Sequence, residues 1–264
     1  MAVDIPDAAR DARRLMAFAL DIGADRLTLV VRDPMPAAAA AIFDDLIAQR
    51  LRRKPVSHLV GGRWFYDRWF RVTPDTLDPR PETEILIELA LGAPFATVLD
   101  LGTGTGAIVI TLLAERLEAR GVGTDLSAEA ILIAGENAAT HGVQDRLVLP
   151  VSDWWDDVGG RYDLIVSNPP YIAADEMQDL SPEVRAWEPR LALTDEADGL
   201  SAYRAIASQA AAYLNPQGRL IVEIGPTQGD AVAELFKKFG LCAISVHQDL
   251  DGRDRVVLAG RNPA

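Results

Sequence analysis

Residues Thr97 to Ala107 read TVLDLGTGTGA, and the apolar run IVITLL continues directly from them. A short β-branched and aliphatic strand runs into three glycines at alternate positions and then into helix-forming sequence. Glycines at 102, 104 and 106 permit a tight turn and close approach of a ligand, and the helix that follows turns its free N–H groups toward that turn. Strand, glycines and helix coincide, so the stretch predicts a nucleotide-facing loop at the carboxyl end of a parallel strand. Gly102, Gly104 and Ala107 also fit the dinucleotide spacing, and the glycines alone do not choose between ligands.

Outward from this loop the pattern repeats. GVGTD, RLVLPVSD, YDLIVSNPP and GRLIVEIG alternate with helical stretches over 128–140, 203–214 and 230–239. Such alternation predicts an α/β domain with a doubly wound parallel sheet covered on both faces. The last two strands, LCAISVHQD and DRVVLAG, have only a short DLDGRD link, which demands an antiparallel hairpin at the sheet edge. Before the glycine loop, apolar spacing of three and four predicts helices up to about Lys54. Residues 55–73, rich in aromatic and β-branched side chains around Gly61-Gly62, read as a strand or hairpin. The organisation expected is a helical domain over 1–54, a hairpin linker over 55–75 and the sheet domain over 76–264.

The chain has 264 residues, 49% of them hydrophobic and 25% charged, enough to bury a sizeable core. No apolar stretch is long enough to span a bilayer, and the N-terminal residues carry acids among their arginines rather than a secretory signal. The single cysteine, Cys242, forbids an intrachain disulfide and reads as a small buried hydrophobe, which suits a reducing cytoplasm. The net charge of −13 is unevenly spread: residues 1–75 carry 12 basic and 10 acidic side chains, the rest 14 basic and 29 acidic. The large C-terminal part is thus a poor match for a phosphate backbone, and no direct nucleic-acid binding is expected. The one basic cluster, Arg50, Arg52, Arg53 and Lys54, reads as a solvated helix end. His58, His141 and His247 share no ligand spacing, so no metal is expected.

Several side chains after the strands carry chemistry. Asp125, 21 residues beyond Gly104, would accept hydrogen bonds from ribose hydroxyls, while Ser127 is the better helix N-cap. Asp100, two residues before the first glycine, would repel a pyrophosphate and suit the ammonium of a methionine moiety, which favours S-adenosylmethionine over NAD. Asp153 and Trp154 follow the third strand, where a carboxylate could accept from an adenine amino group beside an apolar ring. Trp155 reads as a core plug. In SNPPYI, Ser167 to Ile172, two prolines stiffen the chain and hold Asn168 extended. The carboxamide oxygen of Asn168 and the carbonyl of Pro169 would place the two hydrogens of an attacked nitrogen and aim its lone pair at a methyl group. Tyr171 would stack on the planar substrate group and face the developing positive charge.

The stretches DLGTGTGAIVITL, SDWW and SNPPYI resemble the HemK/PrmC-type glutamine N(5)-methyltransferases, and PRPETEILIELAL at 79–91 is similar to their segment before the first strand. KPVSHLVGGRWFYDRWFRVTPDTL looks like their linker hairpin, and AWEPRLAL, LIVEIGPTQGDAV and DLDGRDRVV carry the likeness to the end. The resemblance covers nearly the whole chain, most weakly residues 1–50, where this chain looks about a helix shorter than usual. It implies a class I S-adenosylmethionine-dependent methyltransferase, Rossmann-like, acting on the glutamine of the Gly-Gly-Gln loop in class 1 peptide chain release factors. By position, Gly102, Thr103, Gly104, Thr105, Gly106, Asp125, Trp154 and Asn168 would contact S-adenosylmethionine. Asn168, Pro169, Pro170 and Tyr171 would hold the glutamine, Arg80, Pro81 and Glu82 would line the substrate entrance, and the N-terminal domain would grip the release factor. Three other readings stand beside it: a glutamine methyltransferase of a ribosomal protein, an adenine N6-methyltransferase, which shares Asn-Pro-Pro-Tyr, and an NAD-dependent oxidoreductase.

Overall fold

The computed structural model describes residues 5–261. They form two compact units: the chain up to Gly62 together with Leu180–Trp187, and Arg63–Asp179 together with the chain from Glu188 onward.

The first unit begins with α1 (Ala8–Ala19), α2 (Leu27–Val30), α3 (Ala37–Leu51) and α4 (Val56–Val60). Leu15, Ala19, Leu46 and Leu59 form its small core. Pro36 and Pro55 immediately precede α3 and α4, where a fixed φ suits a helix start and the missing N–H is no loss. Residues 56–60 are therefore helical rather than the strand expected there. Gly61, at φ 77°, ends that helix, and the predicted hairpin starts only at Gly62.

In the second unit β1 (Gly62–Phe65) and β2 (Arg68–Arg71) make that hairpin, turning through Tyr66 and Asp67 at φ 46° and 58°. Then come α5 (Glu84–Leu91), β3 (Thr97–Leu101), α6 (Ala107–Glu115), β4 (Arg120–Thr124), α7 (Ala128–Thr140), β5 (Leu147–Val148) and β6 (Tyr162–Ser167). After α8 (Pro182–Trp187), which belongs to the first unit, follow α9 (Ser201–Tyr213), β7 (Leu214–Glu223), α10 (Gly229–Lys238), β8 (Leu241–Gln248) and β9 (Asp254–Arg261). The seven-stranded sheet has the order β5-β4-β3-β6-β7-β9-β8. Its first five strands are parallel, and β9 and β8 close one edge antiparallel. The sheet is the predicted one.

Side chains alternate across it. Val98, Leu164, Val166 and Ile221 pack on one face with Leu86, Ile87 and Ile108; Leu99, Ile165, Leu220 and Val222 pack on the other with Tyr203, Ile206 and Phe236. Burial on both faces is why the central strands read as continuous apolar runs. Trp155 is buried in the second of these clusters, its Nε1 donating to the Ala205 carbonyl at 2.9 Å, as a plug would. Cys242, on edge strand β8, is only partly buried.

Arg50 departs from the solvated helix end expected of its cluster. It is 8% exposed and pairs with Asp11 at 2.8 Å and with Glu183 at 3.0 Å, while Arg53 reaches the same Glu183 oxygen at 3.1 Å. The basic cluster thus ties α1, α3 and α8 together inside the first unit. No helix among the described residues is long and apolar enough to cross a membrane.

Candidate active site

Strand register builds the site. Thr124, Leu101, Ser167 and Val222 lie in one row across β4, β3, β6 and β7. The residues one step further, Asp125, Gly102, Asn168 and Glu223, therefore sit side by side at the carboxyl edge of four parallel strands, where open α/β sheets bind ligands. Asp125, Gly102 and Asn168 were legible as candidates. Glu223 was missed because it reads as the last residue of an apolar strand, and the signal was its charge at that matching position.

The glycine loop has the conformation its sequence demands. Gly102, Gly104 and Gly106 have φ of 71°, 56° and 79°, a region costly to other residues. A Cβ on Gly102 or Gly104 would meet no protein atom within 4 Å, whereas one on Gly106 would fall 2.6 Å from Ile110 Cδ1. The first two glycines thus leave an open cradle, and the third lets helix α6 pack. Asp125 braces the loop: its Oδ2 accepts the Gly104 N–H at 2.8 Å and its Oδ1 the Ser127 N–H at 2.9 Å. Ser127 caps α7 by accepting from Ala130 N. Burial raises the Asp125 pKa against the backbone N–H bonds that lower it.

Asp100 lies off the cavity wall and keeps one oxygen, Oδ1, buried without a partner. The side chain is wholly enclosed beneath the loop, where Oδ2 accepts the Thr103 hydroxyl at 2.7 Å. Desolvation pushes its carboxyl up to about 7.

A cavity of about 700 Å³ opens over this edge. Gly102, Thr103, Gly104, Thr105, Asp125, Asp153 and Trp154 line one part; Asn168, Pro170, Thr83 and Arg80 line another. Trp154 holds a left-handed backbone at φ 48°, unusual for an aromatic residue and typical of functional loops. Arg80 is clamped by both oxygens of Glu188, at 2.6 and 2.7 Å. Pro81 and Glu82 stand exposed in the turn beyond Arg80, and Pro169 and Tyr171 lie behind the wall rather than on it. The Tyr171 phenol is pushed up to about 12, by burial first and the Glu223 charge second. Its carbonyl accepts from Gln228 Nε2 at 2.9 Å, and Gln228 Oε1 in turn accepts the Gly225 N–H. Gln228, which the sequence did not single out, thereby fastens the Asn-Pro-Pro-Tyr loop to the end of β7.

At the centre is Asn168. Its Nδ2 donates to Thr83 Oγ1 at 3.3 Å, while Oδ1 is buried with no partner. An unsatisfied buried acceptor costs free energy and marks where a donor belongs. No group of three or more His, Cys, Asp or Glu side chains among the described residues could hold a metal ion.

A Rossmann-like sheet with a glycine cradle and an aimed carboxamide at its carboxyl edge defines a methyltransferase. Residues 75–183 match the family described as methyltransferase small domain, and residues 1–61 the PrmC N-terminal domain. The release factor glutamine methyltransferase of Cereibacter sphaeroides is 61% identical over 263 residues, covering 100% of this chain and 94% of that protein. That of Caulobacter vibrioides is 42% identical over 261 residues, covering 96% and 89%. Among solved structures, the ribosomal protein L11 methylase of Lactobacillus delbrueckii subsp. bulgaricus superposes with a TM-score of 0.52 at 25% identity, over 75% of this chain and 89% of that one. The chain belongs to the release factor glutamine methyltransferase family.

Proposed function

We propose that this enzyme transfers a methyl group from S-adenosylmethionine to the side-chain amide nitrogen of the glutamine in the Gly-Gly-Gln loop of class 1 peptide chain release factors, in the cytoplasm, leaving S-adenosylhomocysteine. The observation that carries the reading is the buried, partnerless Oδ1 of Asn168 beside a cavity that reaches the glycine cradle. The family membership and the relatives' names support the substrate.

The residues present fit S-adenosylmethionine. Gly102 and Gly104 leave room where a Cβ would stand, Asp125 offers a carboxylate to ribose hydroxyls, and Asp153 with Trp154 offers an acceptor and a ring to adenine. Asp100 would act from beneath, holding Thr103 and hence the loop. When bound, the sulfonium supplies an electrophilic methyl group.

Asn168 Oδ1 and the Pro169 carbonyl accept the two amide hydrogens and turn the nitrogen lone pair toward the methyl carbon, a gain of several kcal/mol from positioning. As the N–C bond forms and the C–S bond breaks, the nitrogen becomes cationic, and the same acceptors bind it more tightly than before. The alkylated nitrogen then loses its proton to water without a strong base. Tyr171, its phenol held neutral at working pH, would have to turn its ring from behind the wall to face that charge. The helical residues 1–54 would grip the release factor, the linker 55–75 would join them to the methyltransferase domain 76–264, and Arg80, Pro81 and Glu82 would frame the substrate entrance.

The test is incubation of the purified chain with labelled S-adenosylmethionine and class 1 release factors, followed by mapping of the label. A single N(5)-methylglutamine in the Gly-Gly-Gln loop is expected. Label on another protein of a whole extract, with release factors left unmodified, would overturn the substrate.

A further inference from the structure

Two loops furnish part of the cavity wall: Asn168 and Pro170 from one, Thr194, Asp195, Glu196 and Ser201 from the other. They are paired to each other beyond Tyr171, where the Ile172 N–H donates to the Leu193 carbonyl and the Ala174 N–H to the Ala197 carbonyl, each at 3.0 Å. The second loop is folded about Asp195, whose Oδ1 accepts the Ala197 and Gly199 N–H groups at 2.9 and 3.0 Å and whose Oδ2 accepts that of Ser201 at 2.8 Å.

Gln228, just before helix α10, joins both loops to the sheet. Its Nε2 donates to the Tyr171 carbonyl at 2.9 Å and to the Gly199 carbonyl at 3.1 Å, and its Oε1 accepts the Gly225 N–H at 2.9 Å, just past the end of β7. Both amide hydrogens and the oxygen are used, each on a different segment. Only a carboxamide offers two donors on one atom and an acceptor beside them without a charge, and a flipped one would set its oxygen against two carbonyl oxygens. The backbone leaves room for little else. A Cβ on Gly199 would fall 2.5 Å from the Tyr171 carbonyl oxygen and 2.9 Å from Gln228 Nε2, and one on Gly225 would fall 3.0 Å from Gln228 Oε1. Gln228 itself is not part of the cavity wall.

We propose that Gln228 is a positioning residue for the transfer: through the Tyr171 and Gly199 carbonyls it holds the two loops as one wall, and so fixes how far the Asn168 carboxamide and the Pro169 carbonyl stand from the glycine cradle. The proposal rests on the role given to Asn168 and Pro169 above. Between Asn168 and the bonded Tyr171 carbonyl stand Pro169 and Pro170, whose fixed φ angles transmit a shift rather than absorb it. A displacement of about 1 Å at the reacting atoms is enough to cost on the order of 100-fold in rate.

Gln228→Glu keeps the shape and removes the two N–H donors; Gln228→Met keeps the length and removes donors and acceptor together. In methylation assays of the full chain with a class 1 release factor, kcat is expected to fall roughly 10- to 100-fold in both, with affinity for S-adenosylmethionine unchanged. Gln228→Glu is expected to be at least as impaired as Gln228→Met, because its carboxylate faces two carbonyl oxygens. A packing role would spare Gln228→Glu, so a near-normal kcat in that variant, or an equal loss of cofactor affinity in both, overturns the proposal. Hydrogen exchange reads the lock without turnover. The Ile172 and Ala174 amides are expected to exchange roughly tenfold faster in both variants, while the central strands β3 and β6 keep their protection. Unchanged exchange at these two amides, or acceleration spread through the sheet, overturns the proposal. If the wild type methylates no release factor while the exchange difference stands, the substrate assignment falls and the lock does not.

Discussion

Leu101 and Ser167 lie opposite each other at the ends of β3 and β6, and the Ser167 hydroxyl donates to the Leu101 carbonyl at 2.6 Å. The glycine loop and the Asn-Pro-Pro-Tyr loop therefore leave the sheet from one register position, side by side. If the proposed roles hold, a donor of methyl on the first and an acceptor of methyl on the second would be brought together by strand pairing, before any side chain of the site makes a contact, and the sheet would set the reacting distance.

Asp125 should govern cofactor affinity more than stability. Replacing it by alanine frees the Gly104 N–H and removes the ribose acceptor, so binding of S-adenosylmethionine is expected to weaken by about 1–3 kcal/mol in calorimetric titration. Gly104→Ala fills the cradle from the ligand side and should weaken binding further while costing about 1 kcal/mol of stability for its left-handed backbone. Unchanged affinity in both variants would remove the loop from the cofactor site.

Glu223 should cost stability at neutral pH. Desolvation pushes its carboxyl up to about 7 in the folded protein, well above the ordinary carboxylate range. The folded state thus binds the extra proton, and stability from this group is full below the unfolded value and declines as pH rises toward 7. Glu223→Gln removes the buried charge, so its gain over the wild type should be absent near pH 4, grow through pH 5 to 7 and level off above, reaching at most roughly 3 kcal/mol. Denaturant titrations of both proteins at pH 4.5, 6 and 8 measure it. A constant difference would contradict the assigned burial.

Arg50 should hold the first unit together. Removing it leaves Asp11 and Glu183 facing a partly buried gap without their shared cation, so Arg50→Ala is expected to destabilise this unit by about 2 kcal/mol. Hydrogen exchange over α1 and α8 should accelerate while the central strands β3 and β6 keep their protection. Uniform acceleration, or none, would show that these ion pairs do not hold the unit.

The sequence made the sheet legible because strands buried on both faces and joined by helices leave a strong pattern. The glycine loop, Asp125 and Asn168 followed from their places at strand ends. What escaped it depended on neighbours distant along the chain. Pro55 and Gly61 bracket a helical turn that aromatic and β-branched composition disguised as strand. Arg50 looked solvated because Glu183, 133 residues away, was invisible as its partner. The third strand reads as eight residues but pairs as a strand only at Leu147–Val148, with an isolated bridge at Val151 just past Pro150, which has no N–H to give.

The most direct measurement is single-turnover methyl transfer by Asn168→Ala, beside calorimetric binding of S-adenosylmethionine to the same variant. Loss of transfer to near background with cofactor affinity within a few-fold of wild type is the expected result. Transfer at a near-normal rate would contradict the claim that the Asn168 carboxamide aims the reacting nitrogen.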